Sequence, residues 1–170
     1  MKKLFLLLAL VALPFVADAQ TAKYATFSYD SVMHVMPDYK AALATLADLR
    51  KQYDAEIKRT EDDFNAKYES FIEVYSELDI NIRNKRQSEL QELMARGMAF
   101  KEETRRLLRN AEKDLLKPVH ARIDAALTEV AQENGYDFVL NTDNNAIPYT
   151  NPEISEDITM LLKEKLVMDK

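Results

Sequence analysis

Catalytic or metal chemistry has few places to sit in this chain. The two histidines, His34 and His120, are far apart in sequence, and no cysteine is available to complete a metal set with either. The acidic run Glu61-Asp62-Asp63 lacks the glycine and the ligand spacing of a calcium loop. With only 2 glycines, Gly97 and Gly135, the chain has no Gly-rich loop to cradle a phosphate. Serine, histidine and aspartate are all present, but no pattern would gather them in one pocket. The chain is therefore read as a non-enzyme without a cofactor, with structural histidines and an acidic run on an exposed helix surface.

What remains are side chains suited to many weak contacts. Arg83, Lys85, Arg86, Arg96, Arg105, Arg106 and Arg109 form a positive strip that would face a bound polypeptide or a lipid. The plainer alternative is a solvated face paired with an acidic neighbour. Met94, Gly97 and Met98 offer soft contacts, since unbranched thioethers adapt to varied partners, or else ordinary packing between helices. Tyr53, Tyr68 and Tyr75 either line a cavity with amphipathic rings or bury them with the hydroxyl wet.

The elements that must position these residues are mostly helical. The 170 residues are 47% hydrophobic and 31% charged, and 2 Gly with 5 Pro are too few for a turn-rich all-β fold. The start, MKKLFLLLALVALPFVADA, has a basic head, an apolar run and small residues at Ala17 and Ala19, the pattern of a secretory leader over 1–19. Its apolar run falls short of the roughly 20 residues that span a bilayer, which disfavours an anchor. Without Lys2, Lys3 and Asp18, 21 basic and 28 acidic residues remain, a net −7 that argues against nucleic acid as a partner. Export with no cysteine also means no disulfide staples.

From Asp38 to Leu78 there is no Gly or Pro, and Tyr39, Leu43, Leu46, Tyr53, Ile57, Phe64, Tyr68, Phe71, Tyr75 and Leu78 mark one helical seam. Turn and cap residues in SELDINIRNK, 76–85, predict a reversal. A second seam follows through Leu90, Leu93/Met94, Gly97, Phe100, Thr104, Leu107/Leu108, Ala111 and Leu115. Two seamed helices around a tight reversal predict an antiparallel coiled-coil arm over 37–115, roughly 60 Å long for about 40 residues a limb. Residues 38–79 hold 11 acidic and 6 basic groups, whereas 82–117 hold 6 and 10, so opposite charge should favour the pairing of the limbs. Pro118, in LLKPVHARI, predicts a kink or a fresh helix start where the arm meets a body.

That body is predicted from 20–36 and 116–170. YATFSY, 24–29, reads as a strand, after which Asp30 and Ser31 offer caps to SVMHVM and Pro37 ends that turn or opens the next helix. Near the other end, Asn134-Gly135 stops a helix, YDFVL reads as a strand, NTDNNA as a turn, IPYT as another strand, and Ser155 begins a helix lined by Ile154, Ile158, Leu161/Leu162 and Leu166. The chain must return to its start for these short strands to share a sheet. So small a sheet with a coreless arm should be marginal alone, which predicts self-association through Phe27, Phe138, Leu140, Ile147 and Tyr149.

The leader, the opening YATFSYDSVMHVMPDYKAA, the charged hairpin and the closing KPVHARIDAALTEVAQENGYDFVLNTDNNAIPYTNPEISEDIT together resemble the Skp/OmpH family of periplasmic chaperones. The most specific stretch is Val130-Ala131-Gln132-Glu133-Asn134-Gly135-Tyr136-Asp137 with its following strand. The resemblance implies a jellyfish-like homotrimer, a small β body with helical tentacles around a cavity. It implies an ATP-independent holdase that keeps unfolded outer-membrane proteins from aggregating, with lipopolysaccharide or a membrane surface as a further partner. Well-known members are basic and this chain is acidic, so attraction to such partners would be weaker or confined to the positive returning limb. The rival reading of the same arm is a structural spacer or adaptor of the envelope that binds one folded partner.

Overall fold

Strand β1, Tyr24–Phe27, is the centre around which the body closes. The computed structural model describes residues 22–168, so the expected leader lies outside the described residues. A short helix α1, Tyr29–Met33, follows. It is capped by Ser28, whose hydroxyl accepts from the Ser31 amide at 3.1 Å, rather than by Asp30 or Ser31 themselves. Pro37 then occupies the first turn of helix α2, Pro37–Val74, where its missing N–H costs nothing. The chain reverses over 75–79 and runs back as helix α3, Ile80–Asn134. Strand β2, Phe138–Asn141, a 3₁₀ turn at Asp143–Asn145, strand β3, Ser155–Asp157, and helix α4, Thr159–Met168, complete the chain.

The reversal falls inside the expected stretch but is shorter. Asp79 caps α3, accepting from the Asn81 amide at 2.8 Å, so Asn81 and Asn84 are helical rather than part of the turn. Arg83 closes the tip from the other limb. Its guanidinium lies 4.3 Å from the Tyr75 ring centroid, and Nη2 donates to the Leu78 carbonyl at 3.1 Å.

Pro118 does not start a new helix. Helix α3 runs unbroken through it for 55 residues, about 80 Å at 1.5 Å per residue. Proline removes one donor from the helix ladder, but Val119 next to it and Ile123 one turn farther on are buried in the body core and hold the backbone in place. The expected arm–body boundary therefore lies within one rod, and the arm is the outward extension of a body helix. Gly135, at φ 66°, ends that rod in the left-handed conformation glycine tolerates, and the Tyr136 amide bonds back to Ala131.

The sheet has the order β2-β1-β3, with β1 parallel to both neighbours. Tyr24 stands opposite Phe138 on one side and Ser155 on the other. Two sequence expectations fail here. The IPYT segment, 147–150, is irregular, and the third strand is Ser155–Asp157, where a helix start was expected. Pro148 has no N–H to give a ladder, whereas the 155–157 backbone lies beside β1 and leads directly into Ile158, whose amide bonds the Thr26 carbonyl at 2.9 Å. Helix α4 consequently starts at Thr159. Ile154 is exposed, and only Ile158, Leu162 and Leu166 of its expected face are buried.

One core lies between this sheet and the helices. Ala25 and Phe27 of β1 pack with Val32 and Met36 around α1, with Val119, Ile123, Ala126 and Val130 of α3, and with Ile158, Leu162 and Leu166 at α4. The arm has no comparable interior. Among its described residues only Ala42, Leu46, Phe71 and Thr104 are buried. The seam of α2 passes through Ala42 rather than Leu43, which is exposed, so the stripe is one residue out of phase with the expected one near the body.

The opposite net charges of the limbs are mostly not spent on each other. Lys58–Asp62, Lys67–Asp63, Lys85–Glu89 and Arg105–Glu102 pair along their own helices, and Lys101–Glu61 and Arg122–Asp38 bridge the limbs. Charged groups on the outer faces point away from the partner helix and reach only the residue three or four positions along. No helix among the described residues is long and apolar enough to cross a membrane.

The Asn-rich turn fastens the two ends together. Asp143 accepts from the Ser28 hydroxyl at 2.7 Å and the Asp30 amide at 2.9 Å, while the Tyr29 amide donates to the Asn141 side chain at 3.3 Å. Asn144 and Asn145, at φ 53° and 56°, supply the left-handed backbone that aims this carboxylate at α1. Burial alone would raise the Asp143 pKa, but hydrogen bonds from Ser28, Asp30, Asn141 and Tyr29 outweigh it and hold the carboxyl below its usual value. A depressed carboxyl stabilises the fold above its unfolded pKa and loses that contribution as pH falls through the folded value. Asp143→Ala is predicted to lower stability at neutral pH by about 1–2 kcal/mol, as for loss of a helix cap. Urea unfolding at fixed protein concentration checks this, and the difference from wild type should shrink in acid below the carboxylate range.

Candidate functional site

The distal half of the arm carries two unlike surfaces on opposite sides of the seam. On one side, Tyr68 and Ile72 of α2 and Tyr75 at its C-cap are spaced four and three apart, while α3 presents Met94 and Met98 one turn apart. All five are between 43% and 65% exposed, so they lie off the seam rather than in it. Around them are a groove of about 320 Å³ shared with Phe64, Phe71 and Leu90, and another of about 300 Å³ at Ile57, Gly97 and Phe100. The rings are ordered against one another, with Phe64 and Tyr68 stacked at 6.1 Å and Phe71 and Tyr75 edge-on at 5.3 Å.

On the other side, a groove of about 540 Å³ is lined by Lys67, Arg86 and Arg96, with Glu89 among them and Phe71, Leu90 and Leu93 at its floor. Lys67 also pairs with Asp63 at 3.1 Å, and Arg96 reaches Glu92 at 3.9 Å. Arg86 forms no ion pair among the described residues, which leaves its guanidinium available to an anion.

The expected positive strip is thus divided. Arg83 is half-buried at the tip, where it serves the turn. Lys85 pairs with Glu89, Arg105 with Glu102 and Arg106 with Glu103. The hydrogen bond between the last two lowers the pKa of Glu103 and raises that of Arg106. Arg109 is exposed and, like Arg86, forms no ion pair among the described residues. Only Arg86 and Arg96 of the strip share a groove.

Of the proposed soft contacts, Met94 and Met98 face solvent while Gly97 sits at the seam opposite Thr60. Tyr68 and Tyr75 are on the open face. Tyr53 is half-buried, its ring 6.4 Å from Phe100. Ile72 is a member that the sequence reading missed. The available signal was an apolar residue one position out of phase with the seam residue Phe71.

In the body, Phe138 is 46% exposed and stacks on Tyr24 at 5.5 Å on the sheet face away from the core. Leu140 shares that face and is half-buried. Phe27 instead fills the chain's own core, and Ile147 and Tyr149 lie on the irregular connection, Tyr149 largely exposed. Both histidines have structural partners. His120 Nδ1 is 2.7 Å from the Tyr29 hydroxyl, whose pKa burial and then Asp124 push up to about 12, and His34 Nδ1 is 2.6 Å from the Asp30 carbonyl. No cluster of metal-ligating side chains occurs among the described residues.

Three comparisons bear on this arrangement. The sequence model of the family described as "Outer membrane protein (OmpH-like)" matches residues 23–166. The chaperone protein Skp of Yersinia enterocolitica is 27% identical over 153 residues, covering 88% of each chain. The crystal structure of an OmpH-like outer membrane chaperone from Caulobacter crescentus CB15 superposes with a TM-score of 0.71 at 16% identity, covering 85% of this chain and 83% of that one. That likeness establishes the shared fold.

A methyl group on Gly97 would meet the Thr60 Cγ2 at 3.5 Å, an ordinary contact. Gly97→Ala is therefore predicted to stabilise the arm by about 1 kcal/mol, the helix-propensity difference, with no clash to offset it. Thermal unfolding followed by circular dichroism at 222 nm is the measurement.

Proposed function

Because the chain belongs to the OmpH-like outer membrane protein family, we propose that it is an ATP-independent holdase of the periplasm that keeps unfolded outer-membrane proteins from aggregating. The observation that carries this reading is the open face of Tyr68, Ile72, Tyr75, Met94 and Met98. A monomeric protein seldom leaves so many large apolar side chains together in water without a partner for them. An unfolded β-barrel protein supplies short apolar segments in many sequences, and aromatic and thioether side chains bind such segments without demanding one shape. Because each contact is weak, a guest can be released without nucleotide hydrolysis.

Enclosure of the guest is assigned to a homotrimer. Support comes from the body, where among the described residues β2 and β3 each leave one edge without a strand and Phe138 is exposed on the sheet. Closing those edges between copies would satisfy backbone groups and bury the ring. The basic groove at Lys67, Arg86 and Arg96 suits anionic groups, and lipopolysaccharide or an anionic membrane surface is the partner we assign to it. The leader pattern and the family together support the periplasm.

Light scattering of a urea-denatured β-barrel protein diluted into buffer tests the holding reading. The mature chain in excess is expected to suppress the signal, and Tyr68→Ser/Ile72→Ser to lose most of that suppression. Unchanged aggregation with the wild-type chain, or binding only to a native partner, would overturn it in favour of an envelope adaptor. For assembly, Phe138→Asp or Leu140→Asp is expected to reduce the sedimenting species to a single chain while sparing arm helicity. An intact oligomer in both variants would refute the assigned interface.

A further inference from the structure

The arm carries sulfur only on its open face. Of the 7 methionines in the chain, Met36 is fully buried and Met33 packs against the body core. Met94 and Met98, the two in the arm, are 51% and 65% exposed, and Met160 and Met168 of α4 are exposed on the body at 65% and 79%. They stand one helical turn apart on α3, and both line the groove at Ile57, Phe64 and Gly97. The chain has no cysteine and no tryptophan, so exposed thioethers are the side chains that a two-electron oxidant meets first.

We propose that Met94 and Met98 form a paired oxidation site, and that their conversion to sulfoxides by a peroxide-class oxidant lowers the grip of the arm on apolar guests. The inference rests on the holding function above and assigns its regulation. A sulfur lone pair attacks one oxygen of hydrogen peroxide, and the S–O bond forms as the O–O bond breaks. The departing hydroxide takes the proton of the transferred hydroxyl, leaving one sulfoxide and one water. Sulfur loses two electrons and the peroxide gains them. A flexible apolar side chain thereby becomes polar and chiral. Neither sulfur holds the seam, which runs through Leu90, Leu93 and Gly97 on this stretch of α3, so the contact face changes while the coiled hairpin stays folded. Sulfoxide reduction would restore the original face, making the change reversible.

The mature chain is treated with hydrogen peroxide, sulfoxides are located by peptide mass mapping, and binding of a labelled, urea-denatured β-barrel protein is measured by anisotropy before and after. Both Met94 and Met98 are expected to gain one oxygen without loss of helicity, and Kd to rise by about threefold to tenfold as two thioether contacts are weakened. A methionine sulfoxide reductase should restore the starting Kd. Each variant is judged by its own ratio of Kd after to before oxidant, whatever its starting affinity. That ratio should fall close to unity for Met94→Leu/Met98→Leu and stay at the wild-type value for Met160→Leu/Met168→Leu. Sulfoxides confined to other methionines, an unchanged Kd with both sites oxidised, or a loss that persists in Met94→Leu/Met98→Leu would overturn the inference and leave holding intact. Failure to bind the guest before oxidation would overturn the holding function and this inference with it.

Discussion

The parallel pairing of β1 with two strands from the far end of the chain is the constraint on which the rest of the molecule depends. Lys23 is bonded to Asp137 across a sequence separation of 114 residues, and Thr26 accepts from Ile158 beyond the third strand. These contacts form only if the chain goes out and comes back, so the long helical hairpin between them is the connection that the sheet requires. Asp143 then locks the joined ends by capping α1 through Ser28 and Asp30. Loss of this closure would release both helices of the arm at their roots.

The arm obeys different energetics. Its seam buries few large side chains, and most of its ion pairs run along single helices in full solvent, where each contributes about 0–1 kcal/mol. Its stability therefore derives from continuity with the body. Helix α3 is rooted in the core by Val119, Ile123, Ala126 and Val130, and α2 is anchored through Met36 and Tyr39. Pro118 lies at the transition and is carried within a helix that the core holds on one side. Farther out, the buried hydroxyl of Thr104 has no partner within the described residues. A limb with so little interior exposes large side chains over much of its length, and the proposed contacts with guests use that exposure.

The two distal surfaces follow from the same economy. A two-helix seam occupies a narrow stripe on each helix, and residues just outside it on either side are free to differ. Tyr68, Ile72, Tyr75, Met94 and Met98 fill one flank, and Lys67, Arg86 and Arg96 the other. One hairpin thereby carries an apolar and a basic surface without changing its backbone.

Periodicity made the hairpin legible in the sequence: apolar residues three and four apart, with no Gly or Pro from Asp38 to Leu78, permit little else. The stop residues likewise placed a helix end at Gly135, while Pro37, read as the end of one turn or the start of the next helix, proved to open α2. The third strand was not legible. Ser155–Asp157 has neither apolar alternation nor length, and becomes a strand because β1 has an open edge beside it. Net charge on each limb was countable in advance, but ion pairing depends on direction as well as sign, and the outward side chains chose neighbours on their own helix. The division of Arg83 from Arg86, and of Met98 from Gly97, was equally hidden, because one residue turns a helix by about 100° and decides between seam and solvent. Sequence alone determined that two long helices pair and that the chain ends must meet. Only tertiary contact decided which residues face outward, because that depends on the rotation of each helix about its own axis and on which edge of β1 each returning segment finds.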